Sequence, residues 1–455
     1  MTVQNENPQE LYLEKLNQAI ENDEIDFFRK NFLALHPYDQ AKFYVTLHEE
    51  MRMRLYTYLS PKEMSEVYEN IEELDDQKNL ISEMEPFYAA QMLASMYVDN
   101  AVDVLNELSA EQIASYLALM DAHAAREIKQ LLHYEEKTAG SIMTTEFVSI
   151  ETHQTVREAM DILRFEAPTA ETIYYIFVID PSKKLVGVIS LRDLIVADGN
   201  DKISEHMNEH VVSVSAGEDQ ESVAKIMKDY DFLALPVVDF QGHLLGIITH
   251  DDIVDVIDEE ASDDYSKFAA ISDVDAVYKN PISAAKKRLP WLIILLFLGM
   301  LTASLIGRFE KTLEQVAILA VFMPLIAGMA GNTGTQSLAV VIRRLATGDL
   351  EEESKMRLIM REAGTGLITG STCGLLISVI VFIWKKSLFL GFLVGFSLFC
   401  TLIVATVAGA IIPLIMEKLK IDPAVASGPF IQTLNDILSV LIYFGLATTF
   451  MSYLL

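Results

Sequence analysis

Apolar positions are distributed in two distinct ways along the chain. Up to about residue 285, polar and charged residues interrupt every apolar run. From Leu289 onward the sequence is dominated by apolar stretches of about 20 residues or more, the length needed to cross about 30 Å of hydrocarbon. Within the polar half, residues from about 11 to 135 carry apolar side chains at helical spacing, as in Met64, Val67, Ile71 and Leu74. Helix starts recur about every 24 residues, at Leu35-His-Pro37, Leu59-Ser-Pro61, Met84-Glu-Pro86 and Leu108-Ser-Ala110. Others lie between them, at Tyr97-Val-Asp99 and Met120-Asp-Ala122. Pro61 and Pro86 suit a first helical turn, where a missing N–H costs nothing. This rhythm predicts an all-α superhelical domain over residues 1–135.

A different repeat follows over residues 136–257, in which β runs alternate with helical segments. The first copy holds Met143, Phe147-Val-Ser-Ile150, a helix from Val156 to Met160, Tyr174 to Ile179, and Leu185 to Asp193. The second holds Met207, Val211 to Val214, Val223 to Met227, Leu235 to Val238, and Leu245 to Asp252. Gly187 aligns with Gly246, and Asp193 with Asp252. This doubled strand, helix, strand, strand, helix pattern resembles a tandem pair of α/β CBS domains, usually a regulatory module. Ser190-Leu-Arg-Asp193 and Thr249-His-Asp-Asp252 fit the element that places a carboxylate on a ribose hydroxyl in nucleotide-binding CBS domains. They fit equally the start of a helix, with Ser or Thr as N-cap.

Residues 258–285 are expected to form a connector, on a helix that runs from Ile253 to Lys279 and stops at Pro281. Five spans are drawn in residues 286–455, at about 289–308, 314–342, 360–384, 387–416 and 430–455. With the N-terminus inside, one set of boundaries receives Lys286, Lys287, Arg288, Arg343, Arg344, Lys355, Arg357, Arg361, Lys418 and Lys420. The other receives Arg308, Lys311, Lys385 and Lys386. This excess of positive charge on one side puts the soluble half in the cytosol and the C-terminus outside. Met1 to Glu10, polar and acidic, lacks the basic and apolar regions of a signal peptide, in keeping with that orientation. The odd span count suits a symmetric dimer with a pore along its axis.

Charge sharpens the division. The first 285 residues hold 21 Lys and Arg against 55 Asp and Glu, a balance of −34; the remainder is at +4. Such acidity gives solubility, and it equally suits a sensor whose carboxylates repel until a cation bridges them. It argues against nucleic acid as a partner. Asp251, Asp255 and Asp258 would share one face of the connector helix, where like charges destabilise it unless a cation is near. Cys373 and Cys400 lie in apolar segments and read as small core residues rather than a disulfide or metal pair.

Two polar segments sit inside the apolar half. Pro324 to Gln336 contains Gly328, Gly331, Asn332, Thr333 and Gly334; its glycines allow close helix approach or local unwinding that exposes carbonyls. Gln432-Thr433-Leu-Asn435-Asp436 opens the fifth span. An ionised carboxylate in a bilayer costs roughly 3 kcal/mol or more, so it faces a partner or water. Asp436 could alternatively stand at the interface as a helix-start residue. Doubled by symmetry, it provides two negative charges for one divalent ion. Oxygen-only polar groups suit Mg²⁺, which keeps its waters, and disfavour zinc or copper.

Taken together, these segments resemble the MgtE family of magnesium channels or transporters over essentially the whole chain. The most specific parts are Pro324 to Gln336, Asp422-Pro-Ala-Val-Ala-Ser-Gly-Pro429, and Thr433-Leu-Asn-Asp436-Ile-Leu. The resemblance implies a multi-pass homodimer in the plasma (inner) membrane that imports Mg²⁺. Asp436 would select the ion, helped by Asn332 and backbone oxygens around Gly328, Gly331 and Thr333. Regulatory Mg²⁺ would bind Asp252, Asp255, Asp263 and Asp264, with Asp251, Asp99 and, at the membrane boundary, Asp422, and hold the pore shut. CBS domains of this family also bind ATP, for which Ser190, Asp193, Thr249 and Asp252 are the candidates. Other readings are a nucleotide-sensing CBS membrane regulator and an ion-coupled divalent cation carrier. No nucleophile–base pair and no P-loop is present, so an enzyme is not expected.

Overall fold

Short helices fill the N-terminal region of the computed structural model, which describes residues 8–71, 74–271, 281–346 and 355–453. They are α1 (Pro8–Glu21), α2 (Ile25–Phe32), α3 (Pro37–Thr46), α4 (Glu49–Tyr58), α5 (Pro61–Tyr68), α6 (Leu74–Ile81), α7 (Pro86–Leu93), α8 (Val98–Asn106), α9 (Ala110–Leu119) and α10 (Ala124–Leu131). Pro37, Pro61 and Pro86 each open a helix. Ser60 and Ser109 close capping boxes with Glu63 and Gln112. Helices this short do not stand alone in water. A continuous core that includes Phe28, Phe32, Tyr44, Met64 and Tyr68 holds them together. Arg29 bridges to Glu63 at 2.6 Å and holds that carboxyl down at about 2.

Two three-stranded sheets follow. The first copy comprises β1 (Phe147–Glu151), α11 (Val156–Glu166), β2 (Thr172–Ile179), β3 (Leu185–Ser190) and α12 (Leu191–Val196). After α13 (Ile203–His206) come β4 (Val214–Ser215), α14 (Gln220–Tyr230), β5 (Ala234–Val238), β6 (Leu244–Thr249) and α15 (His250–Phe268). Each sheet pairs its first two strands parallel and its last two antiparallel, with Gly187 opposite Val178 and Gly246 opposite Val237. The segments leading into the copies are exchanged. Thr144 bridges to Ile247 of the second sheet, and Asn208 to Val188 of the first. The aligned glycines make room for this. A Cβ on Gly246 would stand 2.5 Å from the Thr144 carbonyl oxygen, and one on Gly187 would stand 2.6 Å from Met207 Sδ.

Helix α15 departs from the expected connector. It begins at His250 and ends at Phe268, where Ala270 turns left-handed at φ 55° and stops a right-handed helix. Residues 272–280, over which the helix was expected to continue, lie outside the described residues. Pro281, expected as a break, is the first residue of the next helix.

Among the described residues, five helices are long and apolar enough to cross a membrane: α16 (Pro281–Gly307), α18 (Leu319–Ala346), α19 (Lys355–Lys385), α20 (Leu388–Lys418) and α21 (Gly428–Thr449). The second span does not start at 314. A separate short helix, α17 (Glu310–Gln315), precedes it, and α18 begins only at Leu319. The fifth ends at Thr449 instead of reaching the C-terminus. Small residues bring α19 onto α20: a Cβ on Gly370 would meet the Phe399 carbonyl at 2.9 Å, and one on Gly374 the Gly395 carbonyl at 2.7 Å. The chain divides into two units, Met1–Ile257 and Asp258–Leu455.

Candidate ion path and cation-sensing sites

In the second unit α18 and α21 pack antiparallel. Tyr443 donates a hydrogen bond to the Leu319 carbonyl at 3.0 Å, Asn435 lies on Gly334, and Gly428 meets Thr335. The segment Pro324 to Gln336 is helical throughout, so the expected alternative of local unwinding does not occur. Gly331 and Gly334 serve close packing instead. The Gln432 side chain lies against Gly331, and a Cβ on Gly334 would fall 1.8 Å from Asn435 Nδ2. With its backbone hydrogen bonds kept inside the helix, α18 needs no solvent at this depth.

Asp436 lies on α21, one turn beyond Gln432, and is half-buried. Its carboxylate has no hydrogen-bond partner among the described residues; the Ser439 hydroxyl donates to its carbonyl oxygen at 2.8 Å. Asn332 is exposed on α18 and Thr333 half-buried, on a face turned from the Gly331 and Gly334 contacts, while nothing lies within 4 Å of a Cβ on Gly328. Asp436 therefore stands well inside α21 (Gly428–Thr449), eight residues past its start, rather than in its first turn.

The sequence reading missed a second carboxylate buried among the helices of the apolar half. Glu362 on α19 is buried and accepts a hydrogen bond from the Ser337 hydroxyl of α18 at 2.9 Å. The signal was present: Leu358, Glu362, Gly366, Gly370 and Gly374 form the buried stripe of α19 at a spacing of four.

The cation-sensing candidates fall in two places along α15. In the first unit, Asp99 in the first turn of α8 is only 6 % exposed. Burial, then the nearby Asp252 and Glu171, hold its carboxyl well above the ordinary range. Asp252 is pushed up to about 6 by burial and by Asp251 and Asp255, against a lowering hydrogen bond from Thr249. Glu171 rises to about 8 through burial, Asp252 and Asp251, and Glu69 to about 7 through burial, despite accepting the Tyr97 N–H at 2.7 Å. Asp251 and Asp255 are exposed. Glu171 and Glu69 were not singled out from the sequence, because three distant segments converge here. Glu171 enters the cluster at the mouth of β2, where its N–H bonds the Glu146 carbonyl at 2.8 Å.

In the second unit, Lys267 on α15 reaches Asp422 at 2.6 Å and Asp263 at 3.9 Å. Burial and then Asp422 raise the Asp264 carboxyl. Asp422 also accepts the Ala424 N–H at 2.8 Å, capping the turn that leads into α21.

Comparison with known proteins follows from this geometry. The magnesium transporter MgtE of Enterococcus faecalis is 55% identical over 439 residues, spanning 96% of this chain and 97% of its own. The chain belongs to the MgtE family. MgtE of Bacillus subtilis is 42% identical over 98% of the chain and 99% of its own length, and that of Thermus thermophilus 37% identical over 95% and 97%. The family models match in order: the MgtE intracellular N domain at 35–137, CBS domains at 139–200 and 203–259, and the MgtE divalent cation transporter domain at 323–446. The crystal structure of the soluble part of a magnesium transporter, 55% identical, covers 55% of this chain and 99% of its own, with a TM-score of 0.54. That of the cytosolic domain of the Mg²⁺ channel MgtE in complex with ATP, 37% identical, covers 54% and 99%, with a TM-score of 0.51.

Within this MgtE chain both Ser/Thr-x-x-Asp elements act as helix starts. Ser190 Oγ donates to Asp193 at 2.6 Å and accepts its N–H at 3.1 Å. The Thr249 hydroxyl donates to Asp252, whose other neighbours are Asp99 and Glu171. Asp193 is exposed, whereas Asp252 is largely buried beside Asp251 and Asp255, so the two aligned aspartates have different surroundings.

Proposed function

We propose that this chain imports Mg²⁺ across the plasma membrane as a homodimer, and that cytosolic Mg²⁺ closes it. The observation that carries this reading is Asp436, a carboxylate on a candidate membrane span, half-buried and without a hydrogen-bond partner among the described residues, in a protein of the MgtE family. Two copies would face a hydrated ion across the dimer axis, with Asn332, Thr333 and the small residues Gly328 and Gly331 lining the approach. None of the most apolar stretch of α16 is buried within the chain, which fits contact with lipid or a second copy.

The cytosolic carboxylates would be the sensor. Asp99, raised by burial and by Asp252, and Asp252, raised by burial and by Asp251 and Asp255, favour any state in which a divalent cation is shared between them. Asp255 and Asp251 add charge beside them, and Asp263, Asp264 and Asp422 form the corresponding group at the membrane boundary. Ions that bind the closed state better would make closure steep in Mg²⁺. ATP is proposed as a further ligand of the CBS pair at Ser190, Asp193, Thr249 and Asp252, in line with the relative crystallised with ATP.

The test is Mg²⁺ uptake by purified protein in liposomes. Wild type should take up Mg²⁺ and Asp436→Ala should not. Absence of uptake by wild type overturns the transport reading, and full uptake by the variant overturns the assignment of Asp436.

A further inference from the structure

Asn435 is fully buried, at 0% exposure, yet neither atom of its carboxamide has a hydrogen-bond partner among the described residues. The neighbouring polar side chains of the same helices are satisfied: Ser439 bonds the Asp436 carbonyl, Thr433 that of Pro429, Ser337 the Glu362 carboxylate, and Thr406 the Leu402 carbonyl. The amide is also accommodated at some expense to α18, where Gly334 leaves the notch that any Cβ would fill.

Two hydroxyls on α20 are orphaned in the same way, Ser397 at 0% and Thr401 at 1% exposure. Register places them. Val394 packs in one cluster with Val440 and Tyr443 of α21, while Gly409 lies on Gly334, which in turn lies on Asn435. Ser397 and Thr401 are twelve and eight residues from Gly409, about 18 Å and 12 Å along α20, and so stand at other levels than Asn435. An unpartnered polar group in an apolar interior is destabilising, whereas an apolar residue of the same shape would be neutral or favourable. The buried amide of Asn435, next to the only aspartate of this helix, has a natural partner in water, which accepts and donates alike.

We infer that Asn435 is a further specificity-determining group of the ion path, holding water that supports the hydration shell of the divalent cation at Asp436. Mg²⁺ surrenders its waters reluctantly, so a path that keeps them hydrogen-bonded favours it over Ca²⁺. This rests on the reading of Asp436 as the ion-selecting residue.

The experiment measures heat stability in detergent and uptake of Mg²⁺ and Ca²⁺ in liposomes for full-length wild type and Asn435→Leu. The expected result is a Leu variant at least as heat-stable as wild type whose Mg²⁺ uptake, or preference for Mg²⁺ over Ca²⁺, falls about tenfold or more, the scale of a hydrogen bond to a charged group. Unchanged uptake and preference in a folded Leu variant overturn the inference. Should Asn435→Leu not fold, Asn435→Ala removes the amide without added reach and is judged by the same two outcomes. Asp436→Ala run alongside separates the readings: uptake retained there defeats the Asp436 assignment, whereas uptake lost there but intact in Asn435→Leu defeats this one alone.

Discussion

At the scale of single residues, burial of carboxylates governs both halves of the protein. Asp252 at about 6, Glu69 at about 7 and Glu171 at about 8 all lie above the ordinary values near 4 that they take in the unfolded chain. Between about pH 4 and pH 8 the folded state therefore holds more protons than the unfolded one, and its stability falls as pH rises through that window. The thermal midpoint of the soluble fragment, residues 1–271, should drop between pH 6 and pH 8 without divalent cations and flatten when millimolar Mg²⁺ is added. A midpoint that rises with pH in metal-free buffer would contradict the assigned direction. Glu362 illustrates what a residue-by-residue reading overlooks. Its neighbour Arg361 draws it toward the interface in sequence, while its helical phase with Gly366 and Gly370 places it in the interior.

At the scale of elements, the helices of the membrane half approach so closely that glycine is required at particular points. A Cβ on Gly409 would fall 2.3 Å from the Gly334 carbonyl oxygen, a backbone atom that cannot swing away. Gly409→Ala should lower the detergent thermal midpoint, at a cost on the order of 1–3 kcal/mol for an overpacked contact. Gly364→Ala, with nothing within 4 Å, is the control and should leave it unchanged. On α15, Lys267 is a tethered cation that neutralises Asp422 at 2.6 Å. Both side chains are about one-third or more exposed, so the pair is screened and worth roughly 0.2–1 kcal/mol. Removing the ammonium should strengthen divalent binding there. Lys267→Met is expected to reduce the internal Mg²⁺ needed for half-maximal closure by about two- to fivefold, read from uptake into liposomes of graded internal Mg²⁺. An increase would show that Lys267 holds the closed state itself.

For the whole molecule, the proposed gate is a sum of weak sites, so single substitutions should shift it and combined ones abolish it. Neutralising Asp252, Asp255, Asp263 and Asp264 together should leave Mg²⁺ uptake running at internal concentrations that stop the wild type; inhibition at the wild-type concentration would exclude these carboxylates as the sensor.

The chain order of the domains was legible in the sequence because each part announces itself through local physics. Apolar runs of bilayer length mark the spans, Pro37, Pro61 and Pro86 mark helix starts, and Gly187 and Gly246 mark the duplicated sheets. Asp436 stood out for the same reason, as a charge in an apolar run. What only the tertiary structure decided depends on contacts between segments far apart in sequence. The exchange of the Thr144 and Asn208 segments between sheets, the meeting of Asp99 with Glu171 and Asp252, and the use of Gly334 for packing against Asn435 instead of unwinding are of this kind. Periodicity fixes which face a residue occupies on its own element, but desolvation and hydrogen-bond satisfaction are set by what the fold brings against that face. That is why the orphaned amide of Asn435, one residue from the aspartate the sequence pointed to, became visible only in three dimensions.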